Sequence, residues 1–375
     1  MSNIVIAGDT SGSVTLQAQA VSGSTTLTLP TTNGTLVTTA SGQTLTSPVL
    51  TNPSISSGGL TFSDSSTQTA AASPYVLKNR IINGDCRIDQ RNAGASVSIS
   101  TGVQTYVVDR FSVYPLGSGC TAQRVAGISG FQYALKVTGA ASNTQIQIMQ
   151  KIESLNTYDL INQTITISFY AQASSSKTSS IYFVYPNAVD NYSGYTQINA
   201  TTFNVTTSSQ RFSFTFNAGA NAGNGLAIII ADAAYGAGET LTVTGFQLEI
   251  GSTATPFERR LYNQELANCQ RYACSNFPTG NAWVQNSGAT NSMEIIGAVT
   301  NQLQTLNFTF PVTMRASPTI TTYSPNAASA NWGTNATTPV ASIGANNQVM
   351  AGIRAGTGVT AGYSFQIFVS ATAEL

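Results

Sequence analysis

The side chains best suited to chemistry are aromatic residues with polar neighbours, and they lie in two parts of the chain. In residues 184–195 (VYPNAVDNYSGY), the first candidate ligand-binding set comprises Tyr185, Asp190, Tyr192 and Tyr195. Trp283 and Trp332, each with Asn and Gly nearby, form the second set. An aromatic face packs on the C–H surface of a sugar ring, while Asp, Asn or Gln groups bind the hydroxyls. Both sets therefore indicate sugar recognition; alternatively, the tyrosines cover sheet edges and the tryptophans fill the core of an oligomer.

The composition excludes several other kinds of chemistry. The chain has 375 residues, no histidine and a formal net charge of zero. Without histidine, one chain cannot form a Ser-His or Cys-His catalytic pair or a histidine metal site. Nucleic-acid binding is not expected, because no basic run is present to neutralise phosphates.

Glycoside cleavage needs only two carboxylates, so it is not excluded by the missing histidine. Asp190, Asp232 and Glu239 are spread through the middle of the chain, however, and no acidic cluster is evident. We therefore expect no enzyme, and we predict no cofactor and no metal site.

The cysteines and the apolar segments are unremarkable in their spacing. Cys86, Cys120, Cys269 and Cys274 fit no zinc or redox motif, so we expect four reduced, buried thiols. No apolar stretch approaches the ~20 residues that a membrane span needs. The first residues also lack the pattern of a secretory signal, and we expect no membrane insertion.

Charge is scarce and clustered, since charged residues make up 8% of the chain and twelve of the thirty lie in residues 78–91 and 249–271. Residues 78–91 (KNRIINGDCRIDQR) predict an Asn-Gly turn followed by a charged first strand. Alternating Arg and Asp on paired strands would form ion pairs that fix the register. The predicted structural ion pairs involve Arg87, Asp89, Arg91, Asp109, Arg110, Glu258 and Arg259.

Within that set, we expect Arg110 to act beside Asp109, and Arg259 to act with Glu258. The alternative is that Asp85, Asp89 and Asp109, together with their arginines, form a glycan or calcium site.

The elements that would position these residues are nearly all strands, which makes the fold class all-β. Residues 1–77 contain short alternating runs at 13–16, 26–29, 35–37 and 44–46, separated by turn residues. These runs predict a thin trimeric β-fibre; a disordered linker is the alternative.

Residues 78–258 predict a β-sandwich or jelly roll, with strands at 164–171, 181–185, 211–216, 226–231 and 241–249. A connecting helix is predicted at 259–275, from helical spacing over 258–273. Residues 276–375 predict a smaller C-terminal β-sandwich, with strands at 306–310, 319–323 and 363–370.

Five strings carry a resemblance to a known family. They are NRIINGDCRIDQR from residue 79, YVVDRF from 106, GFQLEIGS with ATPFERR from 245, ELANCQRY from 265 and FPVTMRASPTI from 310. In this order they resemble the tail fibre and receptor-binding appendage proteins of tailed bacteriophages, with a jelly-roll, carbohydrate-binding-like middle domain. Phe111 stands where such proteins usually carry Trp, and Cys86 where they carry an aromatic residue or Met; both changes concern core packing.

The resemblance implies a homotrimeric virion tail fibre without catalytic activity. Its N-terminal region would bind another tail or baseplate protein, and the fibre would attach to a host surface polysaccharide or lipopolysaccharide. The alternatives are a capsid or baseplate decoration protein without a ligand and, less favoured, a glycan depolymerase.

Overall fold

The structure is a computed structural model that describes residues 3–7, 13–17, 60–61, 67–68, 77–232, 234–288, 290–333, 339–355 and 358–375. The chain forms two compact units, Met1–Ser73 and Pro74–Leu375. In the first unit, β1 (Asn3–Ala7) pairs with β2 (Ser13–Gln17), and β3 (Leu60–Thr61) pairs with β4 (Thr67–Gln68). Strand β2 confirms the predicted run at 13–16. The runs at 26–29, 35–37 and 44–46 lie outside the described residues, and the trimeric fibre stays a prediction.

The second unit begins with a sandwich of two six-stranded antiparallel sheets. Its strands are β5 (Val97–Ile99), β6 (Thr105–Val108), β7 (Phe111–Leu116), β8 (Cys120–Ala126), β9 (Tyr133–Gly139), β10 (Gln145–Ile152), β11 (Thr164–Ala173), β12 (Lys177–Ala188), β13 (Asn191–Val205), β14 (Gln210–Asn217), β15 (Leu226–Asp232) and β16 (Thr240–Ile250). Sheet A has the order β13-β12-β15-β10-β7-β6, and sheet B has the order β14-β11-β16-β9-β8-β5. All five strands predicted between residues 164 and 249 are confirmed.

Period-two alternation builds the core of this first sandwich. Strand β11 directs Ile165, Ile167 and Phe169 inward, where each is fully buried. The ring of Phe169 stacks on Phe246 with the centroids 5.3 Å apart. Branched and aromatic side chains fit such a pleated surface, so the residues that predict the strands also form the core.

The first charged segment contains the predicted turn at Asn83 and Gly84, but the strand predicted after it is absent from residues 77–96, so that part of the prediction is wrong. Residues 77–96 contain turns and irregular backbone, and Asn83 has a φ of 60°, which a strand cannot have. The Asn83 amide donates to the carbonyls of Ile88 (2.8 Å) and Asp109 (2.9 Å), and its Oδ1 accepts from the Ile88 amide at 2.9 Å. Side-chain hydrogen bonds to the backbone therefore hold this segment, rather than a ladder between strands.

The predicted helix is confirmed, but it is shorter than the segment 259–275 for which it was predicted. Helix α1 spans Tyr262–Gln270 and follows an extended residue, Leu261. The preceding residues are held by the first sandwich, since the Glu258 amide donates to Gln247 Oε1 at 2.7 Å. In the described part of the chain, no helix is long and apolar enough to cross a membrane. Three short 3-10 turns complete the helical elements, at Ser154–Asn156, Tyr158–Leu160 and Ala220–Asn224.

A smaller β-sandwich follows α1 and has its own hydrophobic core. Its strands are β17 (Ala273–Ser275), β18 (Met293–Ile296), β19 (Gln304–Thr309), β20 (Thr319–Tyr323), β21 (Ala341–Asn346), β22 (Met350–Ala355) and β23 (Ser364–Thr372). Strand β23 pairs with β17, β18 and β20, and β22 lies between β19 and β21. The strands predicted at 306–310, 319–323 and 363–370 are confirmed. Both sandwiches belong to the compact unit Pro74–Leu375, and the predicted boundaries at 258 and 276 stay predictions.

The cysteines behave as small buried hydrophobic residues, as predicted. All four are free and buried. Burial raises the pKa of the Cys86 thiol and of the Cys274 thiol to about 12 each. Both thiols are therefore protonated, and unreactive as nucleophiles, at neutral pH.

Gly84 provides a direct test of how residues 77–96 dock on the first sandwich. A Cβ at this position would lie 2.1 Å from the carbonyl oxygen of Phe246, and the Phe246 amide donates to the Gly84 carbonyl at 2.9 Å. We expect Gly84→Ala to lower the free energy of unfolding by about 1–3 kcal/mol, because the backbones must separate. Urea denaturation measures this change.

The matched control is Gly236→Ala, since the nearest atom to a Cβ there is a carboxylate oxygen of the flexible Glu239 side chain, 3.4 Å away. We expect the control to change stability by less than about 0.5 kcal/mol. Equal stabilities of the two variants would contradict the docking of Gly84 on Phe246.

Candidate functional site

The outward face of sheet A carries apolar side chains that the core of the first sandwich does not use. On β10, Ile146 and Ile148 point into the core, while Gln147, Met149 and Lys151 alternate with them on the other face. Met149 belongs to a second, separate cluster of buried apolar residues on that outer face. Strand alternation therefore gives sheet A an apolar surface on the side away from the core.

The register of the ladders places the members of this outer cluster side by side. Met149 pairs with Ile229, and Ile229 pairs with Tyr182 on the next strand. Ala227 lies between Lys151 and Val184 in the neighbouring row. Because Ala227 is smaller than Lys151 and Val184 on either side, the outer surface of sheet A is lowest at this position of β15.

Tyrosines and polar groups surround this floor and turn it into a groove. The groove holds about 230 Å³ and is open to solvent. We call it the tyrosine groove, and its main lining residues are Tyr114, Gln147, Met149, Lys151, Tyr192 and Tyr195. Tyr195 is 56% exposed, so one of its faces is accessible to a ligand.

Two of the lining residues are fixed by contacts with the protein. The Tyr192 hydroxyl donates to the Ile152 carbonyl at 3.0 Å, and burial raises the pKa of that hydroxyl. The Lys151 Nζ lies 5.1 Å from the centroid of the Tyr192 ring and donates to the Leu375 carbonyl at 2.9 Å. Burial, and then the charge of Arg110, lower the pKa of Lys151. The groove thus has a rigid end at Tyr192 and Lys151.

The structure brings together only part of the first predicted set. Residues 184–195 are not a loop, because they form most of a hairpin in which β12 and β13 are joined by Val189 and Asp190. Tyr192 and Tyr195 line the groove, whereas Tyr185 does not. Asp190 accepts hydrogen bonds from the Ser154 amide (2.7 Å) and hydroxyl (2.9 Å). Its carboxylate therefore fixes the turn.

The second predicted set is divided by burial. Trp332 is fully buried in the core of the smaller sandwich, and its indole N–H donates to the Arg354 carbonyl at 3.1 Å. A ligand cannot stack on it, so its prediction as a binding residue is wrong. Trp283 is half-buried, and its backbone amide donates to the Arg91 carbonyl at 2.9 Å.

Sequence reasoning missed most of the groove. Tyr114, Gln147, Met149 and Lys151 lie on strands whose inward residues are apolar as well. The available signal was the run QIQIMQKI of β10, in which isoleucines alternate with Gln, Met and Lys. Such an alternation marks Met149 as an apolar residue on the face opposite the core.

Four of the predicted charged residues do form ion pairs, although Arg110 does not pair with Asp109 as expected. Arg87 pairs with Asp85 at 3.4 Å, and Arg91 pairs with both Asp109 (3.5 Å) and Glu374 (2.8 Å). Arg110, only 1% exposed, pairs with Glu374 rather than with Asp109. These pairs connect loops and the two sandwiches, so they do not fix the register of neighbouring strands.

The other three predicted residues act without ion pairs among the described residues. Asp89 accepts hydrogen bonds from the backbone amides of Asn92 (3.0 Å) and Gly94 (2.7 Å). Glu258 accepts one from the Asn79 amide at 2.7 Å. The Arg259 guanidinium lies 5.1 Å from the centroid of the Phe131 ring. The described residues contain no group of three metal-binding side chains, and burial raises the pKa of Asp89.

Part of the first sandwich resembles a known domain family. Residues 116–232, within the first sandwich, match the family model of a carbohydrate binding domain. No curated protein matches the chain.

Three solved structures illustrate the similarity. A CBM4 structure is 21% identical, with a TM-score of 0.30, over 45% of this chain and 98% of that chain. The family 11 carbohydrate-binding module from Clostridium thermocellum, in complex with a β-1,3-1,4-mixed-linked tetrasaccharide, is 13% identical (TM-score 0.30) over 43% and 100%. The enzymatically active domain of tailspike protein 4 from bacteriophage CBA120 is 14% identical (TM-score 0.28) over 46% and 21%. These identities and TM-scores are too low to assign the function of any of these three proteins to this chain.

The pair between Arg110 and Glu374 can be tested by removing one charge. We expect Glu374→Gln to lower the free energy of unfolding by about 3 kcal/mol, because Arg110 then stays buried without its carboxylate partner. Urea denaturation of the full chain measures the loss. The control is Glu294→Gln: Glu294 is exposed, its one hydrogen bond among the described residues comes from the Ser364 hydroxyl, and its loss should cost less than about 0.5 kcal/mol. A loss for Glu374→Gln no larger than the control would show that the pair contributes nothing.

Proposed function

We propose that this protein binds a glycan non-covalently in the tyrosine groove. The observation that carries the proposal is the outer face of sheet A, where Tyr114, Tyr192 and Tyr195 surround an apolar floor. Aromatic faces with a few polar groups are the surface that sugar rings require. The match of residues 116–232 to a carbohydrate binding domain supports the same function.

The groove fits binding better than cleavage. No carboxylate lines it among the described residues, and glycoside hydrolysis needs two of them. Asp190 is engaged by Ser154. The hydrogen bond from Lys177, together with those from the Gly236 amide and Ser175, lowers the pKa of Glu239 to about 2. A general acid needs a raised pKa instead, so we propose a protein without catalytic activity.

The wider setting that we propose is a bacteriophage tail fibre. Its support is the order and spacing of the five sequence strings that begin at residues 79, 106, 245, 265 and 310. In this proposal the protein is a homotrimer on the virion, its N-terminal region binds another tail or baseplate protein, and the groove attaches to a host surface polysaccharide or lipopolysaccharide.

Removing a groove tyrosine tests the binding site. We expect Tyr114→Ala and Tyr195→Ala to weaken glycan binding about tenfold each, because a ring face is lost. The measurement is titration against the glycans that the wild-type protein binds on a bacterial glycan array. Tyr158→Ala is the control, since Tyr158 is 73% exposed and lies outside the groove.

Three outcomes would contradict the proposal. Equal losses for all three variants would place the glycan elsewhere. A wild-type protein that binds no glycan and does not block phage adsorption would favour a decoration protein. Release of reducing sugar from host polysaccharide would establish a depolymerase.

The trimer is tested separately by mass photometry of the purified full chain. We expect a species of about three times the 39.1 kDa chain mass, because residues 1–77 have too little large apolar surface to fold alone. A monomer at the same concentration would contradict the trimeric fibre.

A further inference from the structure

A second cavity lies where α1, residues 87–90 and the loop after β17 meet. It holds about 160 Å³ and is partly open to solvent. Tyr262, Leu266 and Gln270 line it from α1, and their spacing of four places them on one face of the helix. We call this cavity the Trp283 pocket, and it shares no lining residue with the tyrosine groove.

The Trp283 pocket has aromatic walls that remain partly open. Tyr262 is 47% exposed, and Trp283 is half-buried. Phe277 is buried, stacked on Phe368 with the centroids 4.3 Å apart, and so backs the wall from behind. Two accessible aromatic rings beside a firm apolar wall provide a stacking surface for a sugar ring.

Arg124 supplies a positive charge that the protein leaves without an ion pair. Its Nη1 donates to the Arg87 carbonyl at 2.7 Å, and the guanidinium lies 4.5 Å from the centroid of the Tyr133 ring. No carboxylate among the described residues pairs with it, and no other protein acceptor takes its remaining donors. A guanidinium carries five N–H donors in a fixed fork, so an anion has donors to bind.

The other charged groups of the pocket each have protein partners. Arg87 is paired with Asp85 at 3.4 Å. Both oxygens of Asp89 accept backbone amides, from Asn92 and Gly94. Arg124 is therefore the cation of the pocket without an ion pair among the described residues, and it lies near enough to Asp89 to offset in part the rise that burial causes in the pKa of that carboxyl.

We infer that the Trp283 pocket is a second saccharide site, which takes a sugar that bears a carboxylate. The ring stacks on Tyr262 and Trp283, and the carboxylate accepts hydrogen bonds from Arg124. Carboxylates suit this position because guanidinium binds them through two parallel hydrogen bonds. This site does not depend on the proposed function of the tyrosine groove.

The two tryptophans of the chain make the test direct. Trp332 is fully buried, so a ligand that stacks in the pocket changes the fluorescence of Trp283 against a constant background. The probes are oligogalacturonate, oligomannuronate and sialyllactose, each with its methyl ester as a matched neutral control. We expect at least one acid to bind the full-length protein, and its ester to bind at least about tenfold more weakly.

Variants locate the site. Tyr262→Ala and Arg124→Gln should each weaken binding of the acid at least about tenfold, whereas Tyr195→Ala in the groove should leave it unchanged. Thermal melting of each variant checks that it is folded. Because Tyr262 is half exposed, Tyr262→Ala retains the fold and decides the test even where Arg124→Gln does not fold.

Three results would overturn the inference. They are no fluorescence change with any of the three acids, equal affinities for acid and ester, or a loss with Tyr195→Ala in place of Tyr262→Ala. An acid that binds in the pocket while the groove binds no glycan would instead defeat the proposed function alone, so the two failures are distinguishable.

Discussion

The contact between Arg110 and Glu374 is the interaction on which the arrangement of the second unit depends. Arg110 lies in the turn between β6 and β7 of the first sandwich, whereas Glu374 follows β23 of the smaller one. The Arg110 guanidinium is buried, lies 3.5 Å from the centroid of the Tyr272 ring and donates to the Lys151 carbonyl at 2.5 Å. A buried ion pair adds little net stability, but separating its two charges is costly, so it disfavours packing arrangements in which they do not meet. In a chain with so few charges, it therefore specifies how the two sandwiches meet.

Both candidate sites lie next to this contact. Lys151 accepts a hydrogen bond from Arg110 through its carbonyl, and it lines the tyrosine groove through its side chain. Arg91, which also pairs with Glu374, has its guanidinium 5.6 Å from the centroid of the Trp283 ring. The same few charges thus hold one end of the groove and one wall of the pocket, so the geometry of both sites follows from the packing of the two sandwiches.

The strands could be predicted from the sequence, and much of the candidate site could not. Period-two alternation identifies β11, β14 and β16 because each strand is specified by its own residues. Residues 78–91 are held by Asn83 and other side chains that bond to distant backbone, which leaves no periodic signal. The groove depends on the register among β7, β10, β15 and β12, and a single sequence does not contain that register. Trp332 was misassigned because burial by a separate core is likewise non-local.

The near absence of charge limits how this protein can select a ligand. With a formal net charge of zero, it produces little long-range field that could steer an ionic partner toward a site. Recognition must therefore come from contacts at short range, where desolvated hydrogen bonds and ring stacking discriminate. The Arg124 guanidinium, which forms no ion pair among the described residues, then has a large local effect, because salt screens a partly buried contact only weakly. In the proposed site, selectivity between neutral and acidic sugars follows from the placement of one cation beside aromatic walls, rather than from the net charge of the surface.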